Sequence, residues 1–118
     1  MADRYWIASS AGNWNDTANW STTSGGSGGA SVPVTADNVF FDANGSGNCN
    51  IDVSYCYIND LTTTNYSGTI TSLFQLRVYG NLSHGVNATI AIPSGDLFLI
   101  YGNINSKDGV FSGDGTLY

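Results

Sequence analysis

The strongest constraint on the fold is a sequence pattern that occurs twice, 22 residues apart. Segment 76–82 reads Leu-Arg-Val-Tyr-Gly-Asn-Leu, and segment 98–104 reads Phe-Leu-Ile-Tyr-Gly-Asn-Ile. Tyr, Gly and Asn are identical, and the apolar positions remain apolar. A period of about 20 to 30 residues made of short alternating strands is typical of a β-solenoid, whose apolar faces are buried only when coils stack. The repeat therefore predicts an all-β protein, a parallel β-helix with coils of about 22 residues.

The same period predicts which side chains fill the interior. Segment 76–82 is expected to stack on segment 98–104, so that equivalent apolar residues share one dry column. One period before Val78 stands Cys56, which is predicted to be a buried free thiol rather than half of a bridge to Cys49. The predicted repeat core comprises Cys56, Leu76, Val78, Tyr79, Leu82, Phe98, Ile100, Tyr101 and Ile104. The asparagines expected to stack at one corner, where Asn tolerates left-handed geometry, are Asn59, Asn81 and Asn103.

Composition argues against several classes of function. The chain of 118 residues has a net charge of −6 and three cations, so it lacks the basic cluster that nucleic acid or an anionic membrane requires. All nine acidic residues are Asp, and Gly, Ser, Thr and Asn are abundant, which favours strands with many turns over helices. No apolar run approaches the roughly 20 residues of a membrane-spanning helix, so membrane insertion is not expected. The chain opens without a basic and apolar signal segment, so we expect synthesis in the cytoplasm of a host cell.

The first part of the chain is predicted to cap the solenoid. Trp6, Trp14 and Trp20 are the three tryptophans, and they lie among turn formers, which suits a lid over one end of the sheet stack. An exposed aromatic platform for a ligand such as a sugar is the alternative. Residues 24–30 form a Gly/Ser run that is expected to be a flexible surface loop, without a phosphate-binding sequence.

At this length one domain is expected. It spans residues 1–118, with the cap and the Gly/Ser loop in 1–48 and the stacked coils in 49–118.

Asp42 begins a run that matches the first ligand positions of a calcium loop. The twelfth position of that run is Val53 instead of the bidentate Glu, so an Asx-rich turn is the stronger interpretation.

Candidate catalytic groups are few. Paired carboxylates would be Asp52 with Asp60, or Asp96 with Asp108, yet all of them lie near turns, where Asp forms local hydrogen bonds. His84 lies in a turn-like segment without a nucleophile motif and without further His or Cys ligands nearby. We therefore expect no enzymatic activity, no cofactor and no metal site in this chain.

A spaced motif runs through the first 42 residues. It consists of Trp, a Gly-rich turn, Gly-x-Trp, Asn-Trp, a Gly/Ser loop, Val-Pro and Asp-x-Val-x-Phe-Asp, and it is carried by Trp6, Gly12, Trp14, Asn19, Trp20, Val32, Pro33, Asp37, Val39, Phe41 and Asp42. This pattern resembles the N-terminal cap of right-handed parallel β-helix proteins, which include phage fibre and tailspike-like proteins and autotransporter-associated passenger-like proteins. The resemblance implies a structural cap formed by Trp6, Trp14, Trp20, Pro33, Asp37, Phe41 and Asp42.

For function, the resemblance implies a structural virion protein, such as a phage tail or head fibre, an appendage or a decoration subunit, acting by assembly and surface display. The alternatives are the cap region of a bacterial surface or secreted adhesin, and the non-catalytic N-terminal part of a polysaccharide-degrading tailspike. The expected partners are copies of the chain, other virion or surface proteins and a host-surface glycan. We expect the C-terminal end near Tyr118 to be covered, either by further sequence downstream or by neighbouring subunits in a homo-oligomer, because an uncapped stack exposes unpaired backbone groups.

Overall fold

Short strands wind into a β-solenoid of about four turns, with successive turns about 21 residues apart. The computed structural model describes residues 2–106, 109–113 and 115–117. The strands are β1 Asp3–Trp6, β2 Gly12–Asn13, β3 Trp20–Ser21, β4 Asn38–Phe40, β5 Cys49–Ile51, β6 Tyr55–Ile58, β7 Leu61–Thr62, β8 Thr69–Ser72, β9 Gln75–Val78, β10 Leu82–His84, β11 Thr89–Ala91, β12 Leu97–Ile100, β13 Ile104–Ser106, β14 Val110–Ser112 and β15 Thr116–Leu117. A short 3₁₀ helix, Thr17–Asn19, lies between β2 and β3. This arrangement confirms the all-β, solenoid fold predicted from the repeat.

Three sheets form the sides of the solenoid. Over the described residues, the first sheet has the order β13-β10-β7-β4-β1-β3, the second β14-β11-β8-β5-β2 and the third β15-β12-β9-β6. Every pairing between turns is parallel, and β3 alone among the described strands returns antiparallel, against β1. Because β1 pairs with β4 and β2 pairs with β5, the predicted cap segment already contributes strands to the stack.

Alternation of side chains along each strand separates the core from the surface. In β9, Leu76 and Val78 are buried, whereas Gln75 and Arg77 face outward. Val78 pairs directly with Ile100 in the next turn, so apolar residues of successive turns stack in columns. A strand has a side-chain period of two, which explains why a four-residue segment can supply both the core and the surface.

The column that contains Cys56 differs from the prediction. Cys56 pairs with Leu76 rather than Val78, so the step between these strands is 20 residues, two fewer than the repeat suggested. The turns differ in length because their corners do: residues 73–74 separate β8 from β9, whereas residues 92–96 separate β11 from β12. A shift of two residues keeps Cys56 on the inner face and changes only its partner.

Three residues assigned to the repeat core are exposed to a large extent. Tyr79 and Tyr101 follow β9 and β12, and their rings pack on each other outside the third sheet with centroids 5.0 Å apart. Alternation requires this position, because the residue before each tyrosine points inward. Ile104 has the predicted inward register on Leu82, yet it is 50% exposed because it belongs to the last described turn.

The predicted asparagine stack is also shifted at one level. The Asn103 N–H donates to Asn81 Oδ1 over 2.9 Å, and the Asn81 N–H donates to Asp60 Oδ1 over 2.8 Å. Asn59 instead donates its side-chain amide to Asn38. The corner is therefore a ladder of side-chain oxygens, each accepting from the backbone of the next turn, with Asp60 in the place predicted for Asn59.

Aromatic rings fill the first turns of the solenoid. Phe41 lies among Trp6, Trp14, Trp20 and Tyr66, whose ring centroids are 5.0 to 6.2 Å from its own. All five side chains are buried, so the tryptophans do not form an exposed platform for a ligand. The Trp20 indole N–H donates to the Trp14 carbonyl over 2.8 Å, which satisfies this buried donor. The cluster fills the capped end of the core.

Polar contacts tie the loops of the cap to the stack. The buried Asp37 carboxylate accepts hydrogen bonds from the backbone N–H groups of Ala2 and Val34. Pro33, next to Val34, is buried as well. The backbone of the Gly/Ser loop 24–30 donates two hydrogen bonds, of 2.8 and 3.1 Å, to carbonyls of the 3₁₀ helix and β3. The loop is thereby held against the cap.

Candidate functional site

The carboxylates considered as catalytic candidates form local hydrogen bonds. Asp52 Oδ1 accepts from the Asn15 N–H over 2.8 Å, and Asp60 Oδ1 accepts from the Asn81 N–H over 2.8 Å. Asp108, from the second candidate pair, lies outside the described residues. Asp52 and Asp60 each stabilise a corner, which is a common role of short acidic side chains at turns.

The segment that begins like a calcium loop is an Asx turn. Asp42 Oδ1 accepts from the Asn44 N–H over 2.9 Å, and Asp42 Oδ2 accepts from the Ser24 hydroxyl over 2.6 Å. Both carboxylate oxygens therefore have donors within the protein. In the part of the chain that the structure describes, no group of three or more His, Cys, Asp or Glu side chains could hold a metal ion.

His84 is a buried strand residue rather than part of a turn. Its Nε2 lies 2.9 Å from the Val110 carbonyl, and its Nδ1 lies 2.8 Å from Thr63 Oγ1. A carbonyl can only accept, so Nε2 carries the proton and Nδ1 accepts from the Thr63 hydroxyl. The same hydroxyl accepts from the Gly85 N–H over 2.9 Å. Neutral His84 thus satisfies both ring nitrogens and links three turns of the solenoid.

The two cysteines are core residues. Both thiols are free and buried, as predicted for Cys56. Burial raises the pKa of Cys49 and of Cys56, so each remains a neutral thiol near pH 7 and is a poor nucleophile. Their place inside the stack gives them a packing role.

A row of tyrosines lies on the outer side of the third sheet. We define the tyrosine face as Tyr55, Tyr57, Gln75, Arg77, Tyr79 and Tyr101. Its ring centroids are 5.8 Å apart between Tyr55 and Tyr57, 6.0 Å between Tyr57 and Tyr79, and 5.0 Å between Tyr79 and Tyr101. The row crosses three turns, because Tyr57, Tyr79 and Tyr101 belong to successive levels of the stack.

The centre of the tyrosine face is held by specific contacts. The Arg77 guanidinium carbon lies 4.8 Å from the centroid of the Tyr57 ring, and the Tyr57 hydroxyl donates to Gln75 Oε1 over 2.9 Å. A cation over an aromatic face is attracted to it, so Arg77 and Gln75 restrict the Tyr57 ring. The outer rings are open to solvent: Tyr55 is 71% exposed and Tyr101 is 55% exposed.

A groove of about 520 Å³ adjoins the tyrosine face at the start of the same strands. It is lined by Ser54, Tyr55, Phe74, Gln75, Gly95, Asp96 and Leu97. The Phe74 ring is 47% exposed. The groove thus combines two accessible aromatic rings with a hydroxyl, an amide and the carboxylate of Asp96, the remaining catalytic candidate among the described residues.

Sequence reasoning missed this surface because it placed Tyr79 and Tyr101 in the core. The signal was present in the alternation. Tyr79 is one residue beyond Val78, an inward position, and the same holds for Tyr101 and Ile100. A strict period of two would have turned both tyrosines outward.

The last described turn, formed by β13, β14 and β15, presents a second distinctive surface. These strands lie at the edges of the three sheets. Each carries one inward apolar residue, namely Ile104, Phe111 and Leu117, whose partners one turn below are buried. Ile104 is 50% exposed and Leu117 is 40% exposed, so this surface combines strand edges with accessible core side chains. Tyr118, where association was expected, lies outside the described residues.

Comparison of the chain with known protein families, with curated proteins and with solved structures gave no match in any of the three. Among the residues that the structure covers, no helix is long and apolar enough to cross a membrane.

Proposed function

We propose that the chain is a structural virion protein, such as a phage tail or head fibre, an appendage or a decoration subunit, and that it acts by assembly and surface display. The observation that carries this proposal is the difference between the two ends of the solenoid. At one end of the described stack the aromatic residues of the cap are fully buried, whereas the last described turn leaves the core-facing Ile104 and Leu117 partly exposed at strand edges. A stack of this kind can be extended by a further strand at the last described turn, whether that strand belongs to a neighbouring subunit or to the same chain.

Hydrogen bonds within the cap occupy part of the strand edges at the capped end. β3 pairs with β1 at the edge of the first sheet. At the edge of the second sheet, the Asn19 side-chain amide donates to the Asn13 carbonyl over 3.0 Å. Backbone groups that would otherwise recruit another strand are therefore occupied in part by the cap itself.

The other end continues the pattern of the turns below it. The side-chain ladder at the corner ends on Asn103, whose backbone N–H is bound by Asn81 as Asn81 is bound by Asp60. A neighbouring subunit that adds strands here would satisfy the edges and cover Ile104 and Leu117.

The resemblance of the cap motif to phage fibre-like proteins supports a virion as the setting. The cap region of a bacterial surface or secreted adhesin is the second candidate. The exposed tyrosine face favours it, because a surface protein that binds host cells needs an accessible recognition surface.

The proposed assembly is tested by sedimentation velocity of the 118-residue chain over a range of micromolar concentrations. We expect concentration-dependent self-association that is weakened by the double variant Ile104→Ser/Leu117→Ser. Val86→Ser is the control, since Val86 is also exposed, at 57%, but lies at a corner on the side of the solenoid. A stable, cooperative monomer at all concentrations would show the assembly proposal to be wrong.

The setting is tested on native particles. An antibody raised against the purified chain and coupled to gold is expected to decorate phage particles at regular positions in electron micrographs. Labelling of bacterial surfaces in the absence of phage would favour the adhesin instead.

A further inference from the structure

We propose that Tyr79 and Tyr101 form an oxidative modification site, at which their two rings are coupled covalently into dityrosine. The rings belong to successive turns and pack outside the third sheet, with centroids 5.0 Å apart and ring planes inclined by 40°. A bond between them would join the turn that contains β9 to the turn that contains β12. This inference goes beyond the proposed assembly and is independent of it, because the bond forms within one copy of the chain.

The backbone of the solenoid holds the two rings side by side. The Tyr101 N–H donates to the Val78 carbonyl over 2.9 Å, so the two tyrosines continue the parallel pairing of β9 with β12. Paired strands lie about 4.8 Å apart, and the separation of the ring centroids is close to that spacing. The fold therefore keeps one ring next to the other at an effective concentration far above that of any ring on a second molecule.

Exposure makes both rings accessible to an oxidant in solution. Tyr79 is 39% exposed and Tyr101 is 55% exposed. Exposed side chains reorient within picoseconds to nanoseconds, so the ring carbons beside the two hydroxyl groups can come into contact. In the part of the chain that the structure describes, the tryptophans and the cysteines, which are also easily oxidised, are buried. An oxidant that stays in solution therefore meets the outer tyrosines first.

The other neighbouring pairs of the tyrosine face are less suited to coupling. Tyr57 meets Tyr79 edge-on, with ring planes at 88° and centroids 6.0 Å apart. Its hydroxyl also donates to Gln75 Oε1, which restricts rotation of the Tyr57 ring. Tyr55 and Tyr57 lie 5.8 Å apart. Tyr79 and Tyr101 have the shortest separation of the three pairs, so we expect the bond to form between them.

The coupling removes two electrons and two protons. Each phenol gives up one electron and its hydroxyl proton and becomes a tyrosyl radical. The two radicals combine through ring carbons next to the C–O bonds, and the hydrogen on each of these carbons then moves to the phenol oxygen. One C–C bond has formed, and both phenol groups are restored. The oxidant is hydrogen peroxide acting through a haem peroxidase: its O–O bond breaks, and it takes up the two electrons and two protons to give two water molecules.

The test is treatment of the full chain, at low micromolar concentration, with a haem peroxidase and hydrogen peroxide. We expect dityrosine fluorescence in the monomer, a monomer mass lower by two hydrogen atoms, and a proteolytic fragment in which Tyr79 is joined to Tyr101. Tyr79→Phe and Tyr101→Phe each keep the ring and should each abolish this fragment. The control is Tyr5→Phe, which removes a phenol that stacks on Phe40 outside the first sheet and should leave the yield unchanged.

Mapping of the cross-link in the unmodified chain gives a readout that does not depend on folding of the variants. Because the coupling is intramolecular, its yield per chain should be the same over a range of micromolar concentrations. The proposal is overturned if the monomer gains no dityrosine, if the bond maps to another pair, or if either Phe variant retains the bond. Dityrosine found only in covalent dimers, with a yield that rises with concentration, would place the coupling between copies and would also overturn it.

Discussion

Replacement of Phe41 by alanine should destabilise the protein more than the same replacement of the neighbouring Phe40. Phe41 is fully buried, and its ring contacts four other aromatic rings at centroid distances of 5.0 to 6.2 Å. A buried Phe→Ala change of this kind costs about 3 to 5 kcal/mol, because it removes apolar contacts and leaves a cavity. Phe40 is half-buried and stacks on Tyr5 alone, so Phe40→Ala should cost about 1 kcal/mol.

The assay is urea unfolding of both variants, followed by tryptophan fluorescence and by far-UV circular dichroism. With a slope of about 2 kcal/mol per M, Phe41→Ala should lower the midpoint by about 2 M. The three tryptophans lie around Phe41, so fluorescence reports on the cluster directly. If Phe41→Ala is too unstable to purify, Phe41→Leu provides the same comparison at smaller cost. Equal midpoints for the Phe40 and Phe41 variants would refute the conclusion that the cluster anchors the fold.

Three further changes test other parts of the structure. Burial lowers the pKa of His84 below its usual 6.5, and this effect outweighs the hydrogen bond to the Val110 carbonyl, which raises the pKa. The unfolded state therefore binds a proton more readily than the folded state. The free energy of unfolding should consequently fall as the pH drops below 6.5. Urea midpoints at about pH 7 and pH 5 should show a steeper loss for the unmodified chain than for His84→Gln, and equal slopes would contradict this. Asn81→Ala should lower the free energy of unfolding by about 0.5 to 1 kcal/mol and speed hydrogen exchange of the Asn103 amide, because that amide loses its acceptor. Asn81→Asp keeps the acceptor oxygen, so both measurements should be nearly unchanged. Gly47→Ala should cost about 1 to 3 kcal/mol by urea unfolding, because its Cβ would collide with a backbone carbonyl of the first turn, while exposed Ser46→Ala should be neutral.

The solenoid could be predicted because its period is written directly in the sequence. The two Tyr-Gly-Asn segments fixed the step between β9 and β12, and the structure pairs Leu76 with Phe98 and Val78 with Ile100 at that step. Each strand is too short to be stable alone, so a repeated apolar pattern has meaning only if neighbouring turns bury it.

The corners could not be predicted, because they leave little trace in the sequence. Residues 50–55 alternate as one strand would, yet the structure ends β5 at Ile51 and begins β6 at Tyr55. The corner between them contains no Gly or Pro to mark it. Corner lengths also vary from turn to turn, which is why a single period placed Cys56 two residues out of register.

The candidate site was harder to predict than the core. An inward column is recognised because the same positions remain apolar in successive turns, whereas an outward tyrosine is compatible with core and surface alike. Tyr79 and Tyr101 were assigned to the core because they repeat at equivalent positions of the pattern, but both lie on the outer side of the third sheet. The groove depends in addition on Phe74 and Asp96, which belong to corners of different length.

One property of a stacked fold connects the open end to assembly. Each interior turn is stabilised by a neighbour on both sides, whereas the last described turn has one neighbour and leaves Ile104 and Leu117 partly in water. A subunit that covers this turn would therefore stabilise its folded state as well as bind to it, since ordering of the turn and burial of its apolar side chains occur together. Hydrogen exchange of the β13 to β15 amides should then slow on association, while amides around Phe41 remain unchanged. The two ends of the described stack would then differ in dynamics, because aromatic burial stabilises the cap, whereas the proposed partner would order the last described turn.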